Sequence, residues 1–109
     1  MEFDINNQRF IIKEVTQKEI KDILTEKNDK IEQTGMYFGV TCFDDNTIYL
    51  DANLKQDRKR STLAHELTHC YIANCMSHQD RIYTEEEVCD LVSNSYLFVN
   101  EVVNGYFNQ

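Results

Sequence analysis

From Asp57 to Asn74 the chain reads Asp57-Arg58-Lys59-Arg60-Ser61-Thr62-Leu63-Ala64-His65-Glu66-Leu67-Thr68-His69-Cys70-Tyr71-Ile72-Ala73-Asn74, with no glycine or proline. Leu63, Leu67 and Tyr71 recur at helical spacing and Asp57 is a candidate N-cap, so the stretch predicts a helix. Inside it, His65-Glu66-Leu67-Thr68-His69 has the form HExxH. Residues four apart share a helix face, so His65 and His69 can present both imidazoles to one ion, with Glu66 beside them.

Zinc takes nitrogen, sulfur and carboxylate donors in tetrahedral geometry, and a hydrolytic site uses three protein ligands, leaving the fourth position to water. HExxH supplies two ligands, so a third must come from elsewhere in the chain. Glu66 suits the role of general base, taking a proton from a water whose pKa the metal lowers to about 7. The same ion would polarise a carbonyl under attack, the combination that peptide-bond hydrolysis needs. One Zn2+ per chain is expected. So short a motif also arises by chance on solvated helix faces, and a metal-free α+β interaction module is the corresponding bland reading. The apolar neighbours Leu63, Ala64 and Leu67, and the acidic segment downstream, favour the metal.

That acidic segment begins Thr84-Glu85-Glu86-Glu87, a Thr-x-x-Glu capping box, and opens an apolar-periodic stretch to about Val103 that predicts a second long helix. Glu85, Glu86, Glu87 and Asp90 are its oxygen donors. The capping box engages Glu87. Glu86 and Asp90 lie four apart on one face, so Glu86 is the expected third ligand and Asp90 the acceptor for a ligand histidine's N–H. Val88, Leu91, Val92, Ser95 and Val99 turn to another side, expected to be the core. Attraction to the positive end of the helix dipole accounts for Glu85; it does not account for Asp90, which stands past the first turn among apolar neighbours and needs a partner there.

Upstream, Glu2–Ile5 and residues 9–14 predict a short hairpin about Asn6-Asn7. Thr16 with Glu19 caps a helix from Gln17 to about Asn28, carrying Ile20, Ile23 and Leu24. Residues 36–43 and 47–52, flanking Asp44-Asp45-Asn46, predict a second hairpin. The fold class is therefore α+β: a small mixed or antiparallel sheet packed against the HExxH helix and a following ligand-bearing helix.

With 109 residues, no proline and three glycines, nothing marks a linker, and residues 1–109 are expected to form one domain. The net charge of −8 opposes nucleic-acid binding by bulk electrostatics and leaves a protein or peptide as the expected partner. No apolar run is long enough to cross a membrane and the first residues lack a signal-peptide pattern, so a cytoplasmic location is expected. Cys42, Cys70, Cys75 and Cys89 are expected to be reduced and to act as small core residues.

Arg60 to His69, followed by Glu86-Glu87-Val88-Cys89-Asp90, resembles the ImmA/IrrE group of small gluzincin-type zinc metallopeptidases. The resemblance spans about residues 35–99. It implies a β-hairpin before the HExxH helix, which Ile48-Tyr49-Leu50 resembles, and a glutamate on the next helix completing the zinc site, again Glu86. It also implies a transcriptional-repressor-like substrate, in a mobile element or stress response. Thr68 stands where the group commonly has glycine, and no Met-Pro ends the third-ligand helix. Gluzincins usually add a His or Tyr that stabilises the oxyanion, for which His78 and Tyr83 are the nearby candidates. The alternative function is a catalytically silent zinc-binding interaction domain that keeps the fold.

Overall fold

The computed structural model describes residues 1–27, 36–76 and 83–109. Its elements are β1 (Glu2–Ile5), β2 (Gln8–Val15), α1 (Gln17–Lys27), β3 (Gly39–Cys42), β4 (Thr47–Asp51), α2 (Gln56–Cys75) and α3 (Glu85–Phe107). The fold is α+β, with one four-stranded mixed sheet of order β1-β2-β4-β3.

Both expected hairpins form. Asn6 and Asn7 take positive φ (48° and 65°), the left-handed pair that a two-residue turn between right-twisted strands requires, and Asn46 (φ 51°) does the same service between β3 and β4. β1 pairs antiparallel with β2, and β3 with β4. The two hairpins join through a parallel pairing of β2 with β4, Ile11 opposite Thr47 and Val15 opposite Asp51. This leaves β3 at one edge. Thr16 and Glu19 form the expected capping box at the start of α1, with Glu19 N–H donating to Thr16 Oγ1 at 3.2 Å and Thr16 N–H to Glu19 Oε2 at 3.1 Å.

One sheet face, carrying Phe3, Ile5, Phe10, Ile12, Ile48 and Leu50, packs with Leu63, Leu67 and Cys70 of α2 and with Val102 and Val103 of α3. The Phe3 ring stacks on Phe10 and meets Phe98 of α3 at a tilt of 58°, at centroid distances of 5.5 and 5.9 Å. α2 thus lies on the sheet with its neighbour α3 alongside.

Three expectations are corrected. α2 begins one residue before Asp57, with Lys55 as the N-cap residue; lysine offers no side-chain acceptor, and the Asp57 carboxylate instead accepts the first-turn N–H of Arg58 at 2.8 Å. On α3, Val88 and Val92 are exposed rather than core. The inward stripe runs through half-buried Leu91 and Val99 and buried Ser95 and Val102, and Val92 falls about 100° round the helix from Leu91, while the groove between the start of α3 and the end of α2 takes Glu87 and Leu91 rather than Val88. Of the four cysteines, all free, Cys70 alone is buried; Cys75 and Cys89 are exposed and Cys42 lies between.

Candidate metal centre

α2 buries Thr62, Leu63, Glu66, Leu67 and Cys70, which places His65 and His69 on the solvent side of the same turns. Their Nε2 atoms stand 3.2 Å apart, with the rings 4.8 Å between centroids and nearly perpendicular. Two nitrogen ligands at about 2.0–2.1 Å from a tetrahedral ion would stand about 3.3 Å apart. The pair therefore has the spacing that zinc takes without moving the helix. His65, Glu66 and His69 each offer a donor atom within 4.8 Å of the others, a group that could hold a metal ion.

Glu66 differs from the histidines in being buried, 7% exposed. A buried carboxylate needs partners to offset its lost hydration. Thr41 of β3 supplies one: its hydroxyl donates to Glu66 Oε1 at 2.8 Å. The other oxygen, Oε2, lies 3.9 Å from His65 Nε2, on the side of the histidines. One oxygen is thus held by Thr41 and the other is turned to the histidines. Burial, together with the neighbouring Glu66 charge, pushes the Cys70 thiol up to about 12, so Cys70 is a neutral core residue beneath the site.

The strand and helix spacings explain how β3 reaches this position. Gly39 and Thr41, two residues apart on the strand, span about 6.6 Å. Thr62 and Glu66, four apart on the helix, span about 6 Å. Gly39 lies against Thr62 as Thr41 lies against Glu66. A Cβ on Gly39 would come within 2.9 Å of Thr62 Cγ2 and 3.0 Å of the Tyr49 carbonyl oxygen, so only glycine allows this approach.

Beside the histidines opens a cavity of about 410 Å³ lined by Phe38, Gly39, Arg58, Ser61, Thr62, His65 and Glu66. The guanidinium of Arg58 sits 4.8 Å above the Phe38 ring centroid. Neither Thr41 nor Arg58 was singled out by sequence pattern. An alternating Gly39-x-Thr41 on a strand bordering a HExxH helix was the available signal for the first.

α3 starts with the expected capping box: Glu87 N–H donates to Thr84 Oγ1 at 3.2 Å and Thr84 N–H to Glu87 Oε1 at 3.4 Å. Glu86 is exposed in that first turn and is not part of the His65–Glu66–His69 group. It precedes Leu91 by five residues, about 140° round the helix. Glu87, four before Leu91, instead lines a groove with Tyr71, Cys75, Met76, Leu91 and Asn94 and, among the described residues, is the acidic one of this turn that meets α2. Asp90 is on α3 with its side chain outside the described residues, and His78 also lies outside them. Tyr83 is half-buried just before α3 and does not line the cavity beside the histidines.

Among the described residues no helix is long and apolar enough to cross a membrane. No curated protein and no solved structure matches the chain. Residues 16–90, from the cap of α1 through both hairpin strands and HExxH to the opening turns of α3, match the Peptidase M78 model, described as the IrrE N-terminal-like domain. With more than half of its length in that match, the chain belongs to the IrrE N-terminal-like family of metallopeptidase-type domains.

Proposed function

We propose that the domain is a zinc-dependent peptidase that hydrolyses a peptide bond in a protein substrate, with His65 and His69 as metal ligands and Glu66 as general base. The observation that carries this reading is the 3.2 Å separation of the two Nε2 atoms beside the free oxygen of a buried, anchored carboxylate. When bound, zinc supplies Lewis acidity toward a carbonyl oxygen and toward water. Glu66 Oε2 takes a proton from the attacking water and can return it to the leaving amine, while Oε1 stays fixed by Thr41. The Thr41 bond restricts the carboxylate to one orientation, so this proton transfer needs no side-chain search.

The third ligand is proposed in the acidic turn that opens α3. Glu86 is supplied by the family resemblance, with Asp90 supporting a ligand histidine; Glu87 is favoured by its place on the face toward α2. A repressor-like regulatory protein as substrate, and a cytoplasmic setting, are proposed on the resemblance alone.

The test is elemental analysis of purified protein followed by a proteolysis screen against candidate regulators. About one zinc per chain, and cleavage that Glu66→Gln abolishes while zinc is retained, support the reading. Cleavage that survives Glu66→Gln defeats it. Zinc binding and Glu66-independent partner binding without proteolysis would instead establish a silent interaction domain.

A further inference from the structure

Within a chain of net charge −8, the cavity beside the histidines contains one strong cation. The other basic side chains near it on α2 are engaged elsewhere. Lys59 donates to Glu14 at 2.6 Å, and Arg60 bonds to Asn104 and stacks over Phe107. Arg58 is different: among the described residues its guanidinium pairs with no carboxylate and lies over the face of Phe38. The Asp57 carboxylate is turned to the Arg58 main-chain amide and lines the cavity on the opposite flank of α2.

A guanidinium lying on an aromatic face keeps its N–H edge free, and that edge matches a carboxylate with two parallel hydrogen bonds. Phe38 thus holds Arg58 in place without neutralising it. We infer that Arg58 on Phe38 is a carboxylate-recognition subsite, and that the cavity selects peptide segments carrying an acidic group. The inference rests on the peptidase reading of the neighbouring site. Arg58 precedes His65 by seven residues, about 10 Å along the helix axis. An extended peptide covers that in about three residues at 3.3 Å each. The recognised carboxylate therefore stands about three residues from the scissile bond, as an Asp or Glu side chain or as the chain's own C-terminus.

Bulk electrostatics makes this discriminating. A chain of this charge repels acidic peptides and attracts basic ones, and at 0.15 M salt that field decays over about 8 Å. A preference for acid must come from a local cation. The probe is a pair of fluorescein-labelled alanine-serine decapeptides, one with glutamates and one with lysines at the third and fourth positions from each end. Each is made with a free and an amidated C-terminus, and binding is read by anisotropy with the zinc-loaded Glu66→Gln protein.

The glutamate peptide is expected to bind about tenfold more tightly than the lysine peptide. Adding Arg58→Gln is expected to erase the difference, and Arg58→Glu to reverse it; circular dichroism checks that each variant folds, as befits a substitution at an exposed residue. Tighter binding that depends on the free C-terminus in both peptides assigns the carboxylate to the chain end. Equal binding of all the peptides, or an acid preference that persists in Arg58→Gln, overturns the inference. If the preference holds and no Glu66-dependent cleavage is found in the proteolysis screen, the peptidase reading falls and the Arg58 subsite stands.

Discussion

Thr41 Oγ1 donates a 2.8 Å hydrogen bond to Glu66 Oε1, tying the edge strand β3 to the carboxylate at the centre of HExxH. Both residues are buried. Replacing Thr41 with valine keeps the shape and removes the donor, leaving a buried carboxylate oxygen unpaired at a cost of about 1–3 kcal/mol. Freed from Thr41, Glu66 can rotate out of the orientation that the proposed general-base role requires. The expected result is a fall in turnover of about 10- to 100-fold, as for other supporting partners of metal sites. Zinc content should not change, because neither histidine is touched, and Thr41→Ser should restore most of the activity. Turnover in Thr41→Val equal to wild type would show that the bond does not position the base.

Gly39 makes a second prediction about the same strand. A methyl group there meets Thr62 Cγ2 at 2.9 Å and the Tyr49 carbonyl at 3.0 Å, and Leu50 Cδ2 at 3.3 Å. The side chains could yield, but the carbonyl belongs to the β3–β4 ladder. Gly39→Ala is expected to destabilise the protein by about 1–3 kcal/mol, the usual cost of overpacking. Urea denaturation measures this directly. The double variant with Thr62→Ser removes the closest methyl and should recover part of the loss; no recovery would place the strain at the Tyr49 carbonyl.

The acidic turn of α3 holds both the N-cap pair and the proposed third ligand. Thr84→Ala should cost about 1 kcal/mol through the lost N-cap, with little effect on zinc stoichiometry. Glu86→Gln and Glu87→Gln are both nearly isosteric. Loss of zinc in the first alone assigns the third ligand to Glu86; loss in the second alone assigns it to Glu87 and means that Glu87 leaves the cap when metal is present. Retention of full zinc in both would exclude the acidic turn as the source of the ligand. Zinc titration with a competing chelator gives each answer without an activity assay.

The contrast between α2 and α3 shows what could be read from the chain. HExxH is a local pattern: the four-residue spacing alone puts His65 and His69 on one face, and the helix period alone buries Glu66 with Leu63 and Leu67. Both hairpins were equally local, because Asn6, Asn7 and Asn46 are residues that tolerate positive φ. The parallel join of β2 to β4 was not legible, since it depends on a pairing between segments separated by α1 and β3. The same is true of Thr41 and Arg58. Their significance comes from β3 running beside α2, which only the assembled sheet determines. On α3 the helical pattern was legible, but which apolar residues became core was not: Val88 and Val92 have the right character, yet they are exposed while Glu87 and Leu91 line the groove against α2.

A final prediction concerns pH and lies away from the metal centre. Burial pushes the Glu14 carboxyl up, but hydrogen bonds from the Lys59 ammonium and the Tyr106 hydroxyl, with the charge of Lys59, outweigh it and hold Glu14 below the usual carboxylate range. These contacts join β2 to α2 and to the last turn of α3. A folded-state value below the unfolded one means that the unfolded chain binds the proton more readily. Stability from this group is therefore complete above the unfolded carboxylate range, near pH 4–5, and is lost as pH falls through the depressed folded value. Glu14→Gln should flatten this part of the decline in melting temperature between pH 6 and pH 3. The measurement belongs in chelator-treated protein, where loss of bound metal cannot contribute to the slope. An unchanged slope in Glu14→Gln would show that other carboxylates carry the acid sensitivity and that the Lys59–Glu14–Tyr106 contact does not bind β2 to the two helices in solution.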